Sequence, residues 1–107
     1  QNPKEYVMKK VVENGLVAVI YSPGYGAGWA TWADGVEVCF DPILVEWIRN
    51  GKNGEPPLDH YGDDAPYAGG LRDAEIKWIA EGTRFEITEY DGAEGIRILD
   101  ETEYLVA

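Results

Sequence analysis

Two dipeptides, Asn14-Gly15 and Asp91-Gly92, constrain the fold of this chain more than any other feature of its sequence. Each lies between two strand-like stretches, and both dipeptides readily adopt the positive φ angles that a two-residue type I′ turn requires. We therefore expect two antiparallel β-hairpins, one near each end of the chain. A chain organised by hairpins favours an antiparallel sheet.

In the first hairpin, central Asn14 and Gly15 place Glu13 opposite Leu16 and Val11 opposite Ala18. The strand that follows the turn, residues 16–21, is apolar on both of its faces. Such a strand is typical of the centre of a sheet that is covered on both sides. The sequence therefore predicts a neighbour on each side of it.

The C-terminal third alternates apolar and polar residues in three stretches, divided by turns at Gly82 and at Asp91-Gly92. This pattern predicts a three-stranded β-meander. In the second hairpin, the two-residue turn brings together the cross-strand pairs Ile87–Ile96, Phe85–Ile98 and Glu86–Arg97. Apolar pairs on one face and an opposite-charge pair on the other support this register, and a four-residue loop would keep the same faces. A further alternation at 36–40 predicts one short strand.

One α-helix is expected at about 42–50. Asp41 suits its N-cap, Pro42 its first turn and Gly51 its left-handed end. Its core-facing stripe is expected at Ile43, Leu44, Trp47 and Ile48. The predicted fold is a single α+β domain over 1–107, mainly antiparallel sheet, with a long loop at 52–71. Residues 1–7, which precede Met8, are either a cloning remnant or an upstream extension.

Charge excludes several classes of function. The chain has 20 Asp and Glu against 9 Lys and Arg, a formal net charge of −11. Direct nucleic-acid binding and binding to anionic membranes both require a basic surface and are disfavoured. The sequence offers no apolar run long enough to span a bilayer and no signal peptide, so the cytoplasm is the expected location.

Catalytic and metal-binding motifs are sparse. A single cysteine, Cys39, and a single histidine, His60, exclude an intrachain disulfide, a Cys-cluster zinc site and a two-His metal motif. We expect no catalytic residues, no cofactor and no metal, and hence no enzyme. Two weaker alternatives remain for the loop that carries Asp59, His60, Asp63 and Asp64: a divalent-cation site, or an active site based on His60. A solvated acidic loop is favoured over both.

The candidate binding segment is the glycine-rich loop at 24–32. Its glycines allow a ligand close to the backbone, and its aromatic rings offer flat faces for stacking. The predicted ligand-binding residues are Gly24, Tyr25, Gly26, Gly28, Trp29 and Trp32, with Arg84 and Arg97 as counter-charges if their face meets the loop. The alternatives are that the glycines form a bulged connection, that the tryptophans fill the core, and that the arginines only balance nearby carboxylates.

Three segments resemble a family of small acidic hypothetical proteins from bacteriophages and their hosts. They are SPGYGAGWATW at 22–32, FDP at 40–42 and the run YAGG…DAEIKWIAEGTRFEITEYDGAE at 67–94, and the resemblance covers Met8 to about Asp100. It implies a phage-encoded accessory protein, with anti-defence activity as one role, in a bacterial host cytoplasm. It carries over no catalytic residue. The family often has serine where this chain has Ala30, which argues against a role for a hydroxyl there.

Two functions follow as hypotheses. In the first, a non-enzymatic module binds a planar or nucleotide-derived ligand through the glycine-rich loop, for example to sequester a host signalling nucleotide. In the second, an acidic protein blocks a basic site of a host protein, as a DNA mimic would. A homo-oligomer is also expected, because a domain this small cannot readily hide 4 tryptophans.

Overall fold

A computed structural model describes residues 9–24, 29, 38–64 and 70–99 of the chain. Its strands are β1 (Val12–Glu13), β2 (Leu16–Tyr21), β3 (Glu75–Ala80), β4 (Arg84–Tyr90) and β5 (Ala93–Leu99), with one α-helix, α1 (Pro42–Arg49), and 3-10 segments at Val38–Phe40, Asp59–Asp64 and Leu71–Asp73. This is a small α+β domain with antiparallel sheets, as the sequence predicts.

The first hairpin has the predicted register. Asn14 and Gly15 have φ angles of 53° and 79°, Glu13 pairs with Leu16, and the amide of Ala18 donates to the carbonyl of Val11 at 3.0 Å. β2 is the central strand of the order β1-β2-β3. Its position agrees with its two apolar faces.

The predicted C-terminal meander is wrong in one respect, because β3 pairs with β2 and not with β4. The β2–β3 register runs from Leu16 opposite Ala80 to Tyr21 opposite Glu75, and β4 and β5 form a separate two-stranded sheet. The physical reason is that β2 is apolar on both faces and β1 covers only part of one edge. The β4–β5 register is the predicted one, with Ile87–Ile96, Phe85–Ile98 and Glu86–Arg97 as partners.

The helix begins and ends as expected. The Asp41 side chain accepts hydrogen bonds from the amides of Ile43 and Leu44, and Gly51 has a φ of 93°. Its buried face differs by one position from the prediction, because Val45 is buried while Ile43 is 44% exposed. Each residue of an α-helix points about 100° away from the residue before it. A predicted buried stripe that is shifted by one position therefore keeps the spacing of a helix but faces a different side.

Of the segment 36–40, where a short strand is expected, the structure describes residues 38–40, and these residues do not form a strand. Val38–Phe40 are a 3-10 turn, closed by a hydrogen bond from the amide of Asp41 to the carbonyl of Val38 at 3.1 Å. Asp41 follows this turn directly and caps the helix.

The three-stranded sheet is covered on both faces. On one face, Arg49 of α1 lies over the Trp78 ring at 5.5 Å and forms an ion pair with Glu13 at 2.9 Å. On the other, Phe40 and Phe85 of β4 contact each other edge-to-face at 6.1 Å and line a cleft together with Val17 and Ile79 of the sheet. The fully buried side chains between these layers include Ile20, Leu44, Leu71 and Val19. No helix within the described ranges is both long and apolar enough to cross a membrane.

Candidate functional site

The stem of the glycine-rich loop, where the chain leaves β2, is held by the buried carboxylate of Glu94. Its Oε1 accepts from the amide of Ser22 at 2.9 Å, and its Oε2 accepts from the amide of Trp29 at 2.8 Å. The amide of Glu94 in turn donates to the Ser22 carbonyl at 2.7 Å, and the Ser22 hydroxyl donates to the Gly70 carbonyl at 2.8 Å. One β5 residue therefore joins Ser22, just before the loop, and Trp29, within it, to the second sheet.

Glu94 is a functional candidate that the sequence reasoning missed. Its residue is only 4% exposed, and it lies on the same face of β5 as Ile96 and Ile98. A carboxylate at an inward-facing position of an alternating strand was the signal that could have identified it, because buried carboxylates require hydrogen-bond donors.

Among the predicted ligand-binding residues, Tyr25, Gly26, Gly28 and Trp32 lie outside the described residues. Trp29 is described and is fully buried. An indole without exposed surface offers no face to an external ligand, so Trp29 agrees with the core-packing alternative. Its Nε1 donor is buried with no hydrogen-bond acceptor among the described residues.

Arg84 and Arg97 are not brought to the described part of the loop. Along β4 and β5, Arg84 and Arg97 share one face of the hairpin with Glu86 and Leu99. Because side chains alternate between the two faces of a strand, this face is opposite to that of Glu94. Arg97 forms an ion pair with Glu86 at 3.0 Å. This ion pair is the alternative role predicted for Arg97 from the sequence, in place of binding an anionic ligand.

Carboxylates surround the loop stem instead. A Cβ at Gly24 would lie 2.5 Å from Oδ2 of Asp73, so the Asp73 side chain rests against the loop backbone. At the end of β2, the Tyr21 hydroxyl donates to Glu75 at 3.4 Å. Burial raises the pKa of Tyr21, and the charge of Glu75 and its hydrogen bond raise it further. The stem therefore has a negative electrostatic environment.

A second polar cluster is built on Asp41. Beyond its two cap hydrogen bonds, its Oδ2 accepts from the Tyr61 hydroxyl at 2.6 Å and lies 2.7 Å from His60 Nε2. Asp41 is fully buried, and its carboxylate is fully engaged by these four contacts. The cluster connects the 3-10 segment Asp59–Asp64 to the start of α1 through His60 and Tyr61.

The described ranges hold no metal cluster, and the cleft between the two sheets is small. No group of three or more His, Cys, Asp or Glu side chains converges there. The cleft between the two sheets, lined by Lys10, Val17, Phe40 and Phe85 among others, has a volume of about 50 Å³. Pockets for small-molecule ligands are typically about 300 Å³ or larger. Cys39, which follows Val38 in the 3-10 turn, is a buried thiol.

Comparison with known proteins gives no match: no protein-family model, no curated protein and no solved structure is significantly similar to the chain.

Proposed function

We propose that this protein is a non-enzymatic binding protein that presents carboxylates to a basic site on a partner protein. The observation that supports this function is the charge at the loop stem, where the exposed Asp73 lies against Gly24 and the exposed Glu75 accepts from the Tyr21 hydroxyl at the end of β2. Arg84 and Arg97 occupy the far face of the β4–β5 hairpin. A cationic group of a partner would meet attraction at this stem.

The other described arginines are engaged within the chain, which favours the same conclusion. Arg49 pairs with Glu13, and Arg72 donates to the carbonyls of Lys52 at 3.0 Å and Gly54 at 2.8 Å. These contacts fix the guanidinium groups of Arg49 and Arg72 against other parts of the chain. The chain as a whole has a net charge of −11. A surface of this sign accelerates association with a basic partner and makes the rate sensitive to salt.

Anionic ligands fit the stem less well. A phosphate beside Gly24 would lie within the Debye length of about 8 Å from Asp73, with repulsion that salt does not fully screen. This is the reason for ranking a protein partner above a nucleotide. The resemblance to phage proteins would make that partner a protein of the bacterial host.

The test is affinity capture from bacterial lysate with Asp73→Asn as the probe variant. Its matched control is Asp91→Asn, which removes the same charge from the far hairpin tip and keeps a residue type that tolerates the φ of 54° there. We expect one protein to be captured at low salt, released at high salt, and captured less by Asp73→Asn than by Asp91→Asn. Salt-independent capture, or equal loss in both variants, would contradict a basic partner at the loop stem.

A small planar ligand is the second candidate, favoured by one observation. The Trp29 indole N–H is buried without an acceptor among the described residues, and a ligand whose acceptor atom paired with it would have to displace the side chains that now bury this ring. Titration of tryptophan fluorescence with cyclic, dinucleotide and ADP-ribose-type compounds tests this, with Trp29→Phe as the control. A change that saturates in the natural chain and is absent in Trp29→Phe supports the ligand, and no change with any compound counts against it.

A further inference from the structure

The outer edge of β3 carries backbone groups that are directed away from the sheet. β3 is an end strand of the order β1-β2-β3. The amide of Glu81, the residue after β3, donates to the Gly15 carbonyl of the first hairpin at 2.8 Å. In an antiparallel pair, alternate residues direct both N–H and C=O to the same side. Residues 75, 77 and 79 therefore bond toward β2, while Ile76 and Trp78 direct theirs outward.

These outward groups meet no further strand among the described residues, whose only pairings are β1–β2, β2–β3 and β4–β5. The Ala80 carbonyl, the next outward acceptor, is taken by the amide of Thr83 at 3.0 Å. The remaining edge is thus centred on Ile76 and Trp78, both half-buried. An open edge of this kind is a template for pairing with another extended chain.

The charged side chains along β3 determine which register a second copy of β3 can adopt at this edge. A symmetric antiparallel pair of two β3 strands has its two-fold axis at one residue. An axis at Lys77 places two lysines opposite each other, and an axis at Trp78 places Glu75 opposite Glu81. An axis at Ile76 instead places Glu75 opposite Lys77 in both halves of the pair. Opposite charges directly across a pair stabilise it and like charges destabilise it.

We propose that β3 is the interface of a symmetric homodimer, in which residues 75–77 of two copies pair antiparallel about Ile76. The two Ile76 residues exchange both backbone hydrogen bonds. The pairing ends before Ala74, which is only 1% exposed and whose amide already donates to the Leu71 carbonyl at 3.1 Å. The result is one continuous six-stranded sheet with Glu75–Lys77 pairs on each side of the axis. This inference is independent of the proposed function.

The test is sedimentation equilibrium of the full chain with three variants. The natural chain should give a mass of twice 11.9 kDa. Lys77→Glu turns both attractive pairs into repulsive ones and should raise the dimer Kd by about tenfold or more. Lys9→Glu, which makes the same charge change at an exposed residue away from β3, should leave the Kd unchanged.

The charge-swapped double variant Glu75→Lys with Lys77→Glu restores opposite charges in the same register and should recover the dimer. Far-UV circular dichroism verifies that each variant is folded, which the exposure of both side chains favours. A natural chain that is monomeric at every concentration, a Lys77→Glu variant as dimeric as the natural chain, or a folded double variant that stays monomeric would each overturn the proposal.

Discussion

Replacing Glu94 by alanine removes the acceptor that holds Ser22 and Trp29 of the glycine-rich segment. The amides of Ser22 and Trp29, now bonded at 2.9 and 2.8 Å, would be left without a partner at a site where Glu94 itself is only 4% exposed. Each buried donor left unsatisfied costs roughly 1–3 kcal/mol. We therefore expect Glu94→Ala to lower the free energy of unfolding by about 2–6 kcal/mol for the two donors together, a large share of the roughly 5–15 kcal/mol typical of a domain.

Urea unfolding monitored by tryptophan fluorescence measures this loss, and Glu86→Ala is the matched control on the same hairpin. Glu86 pairs with Arg97 at 3.0 Å, but both side chains are about half exposed, so its removal should cost less than about 1 kcal/mol. Glu94→Gln keeps one acceptor and should fall between the two variants. If Glu94→Ala lost no more stability than Glu86→Ala, the role of Glu94 as the anchor of the loop stem would be refuted.

Two further predictions concern Asp41 and Tyr21. Asp41→Ala removes the helix cap and the shared acceptor of Tyr61 and His60, and should lower the free energy of unfolding by about 2–4 kcal/mol in chemical denaturation; Asp41→Asn, which retains a capping oxygen, should lose less, and an equal loss in both would contradict the cap contribution. The pKa of Tyr21 is raised above 10.0 in the folded chain, so the stability it contributes is complete below pH 10 and is lost as pH rises through its folded pKa. Tyr21→Phe should therefore show a shallower alkaline loss of stability than the natural chain, and identical profiles between pH 9 and 12, measured by urea unfolding, would argue against it.

The parts of the fold that sequence could predict are those set by neighbouring residues. The Asn14-Gly15 turn fixes its own register, because a two-residue turn leaves only one pairing of the strands that it joins. Asp41 and Pro42 mark the start of the helix for a similarly local reason. Pairing of β3 with β2 was not predictable in this way, since Ile20 and Ile76 are far apart in the chain and only burial of the whole strand selects the partner.

The candidate site also has features that are set by neighbouring residues and features that are set by distant contacts. Alternation along β4 and β5 places Arg97 and Glu86 on the outward face, and that face was predicted correctly. The relation between this face and the glycine-rich loop depends on Glu94 contacting Ser22, a contact across 72 positions of sequence. The same carboxylate also accepts from the amide of Trp29 at 2.8 Å, and Trp29 is fully buried. No local pattern around Trp29 distinguishes a buried indole from an exposed one.

Native mass spectrometry of the protein purified from a bacterial lysate at low salt tests the proposed function most directly. We predict a complex with a second, basic protein that dissociates when the ionic strength of the sample is raised, and no retained small molecule. A retained nucleotide or other planar compound, with no protein bound at any ionic strength, would contradict the assignment of the acidic loop stem to a protein partner.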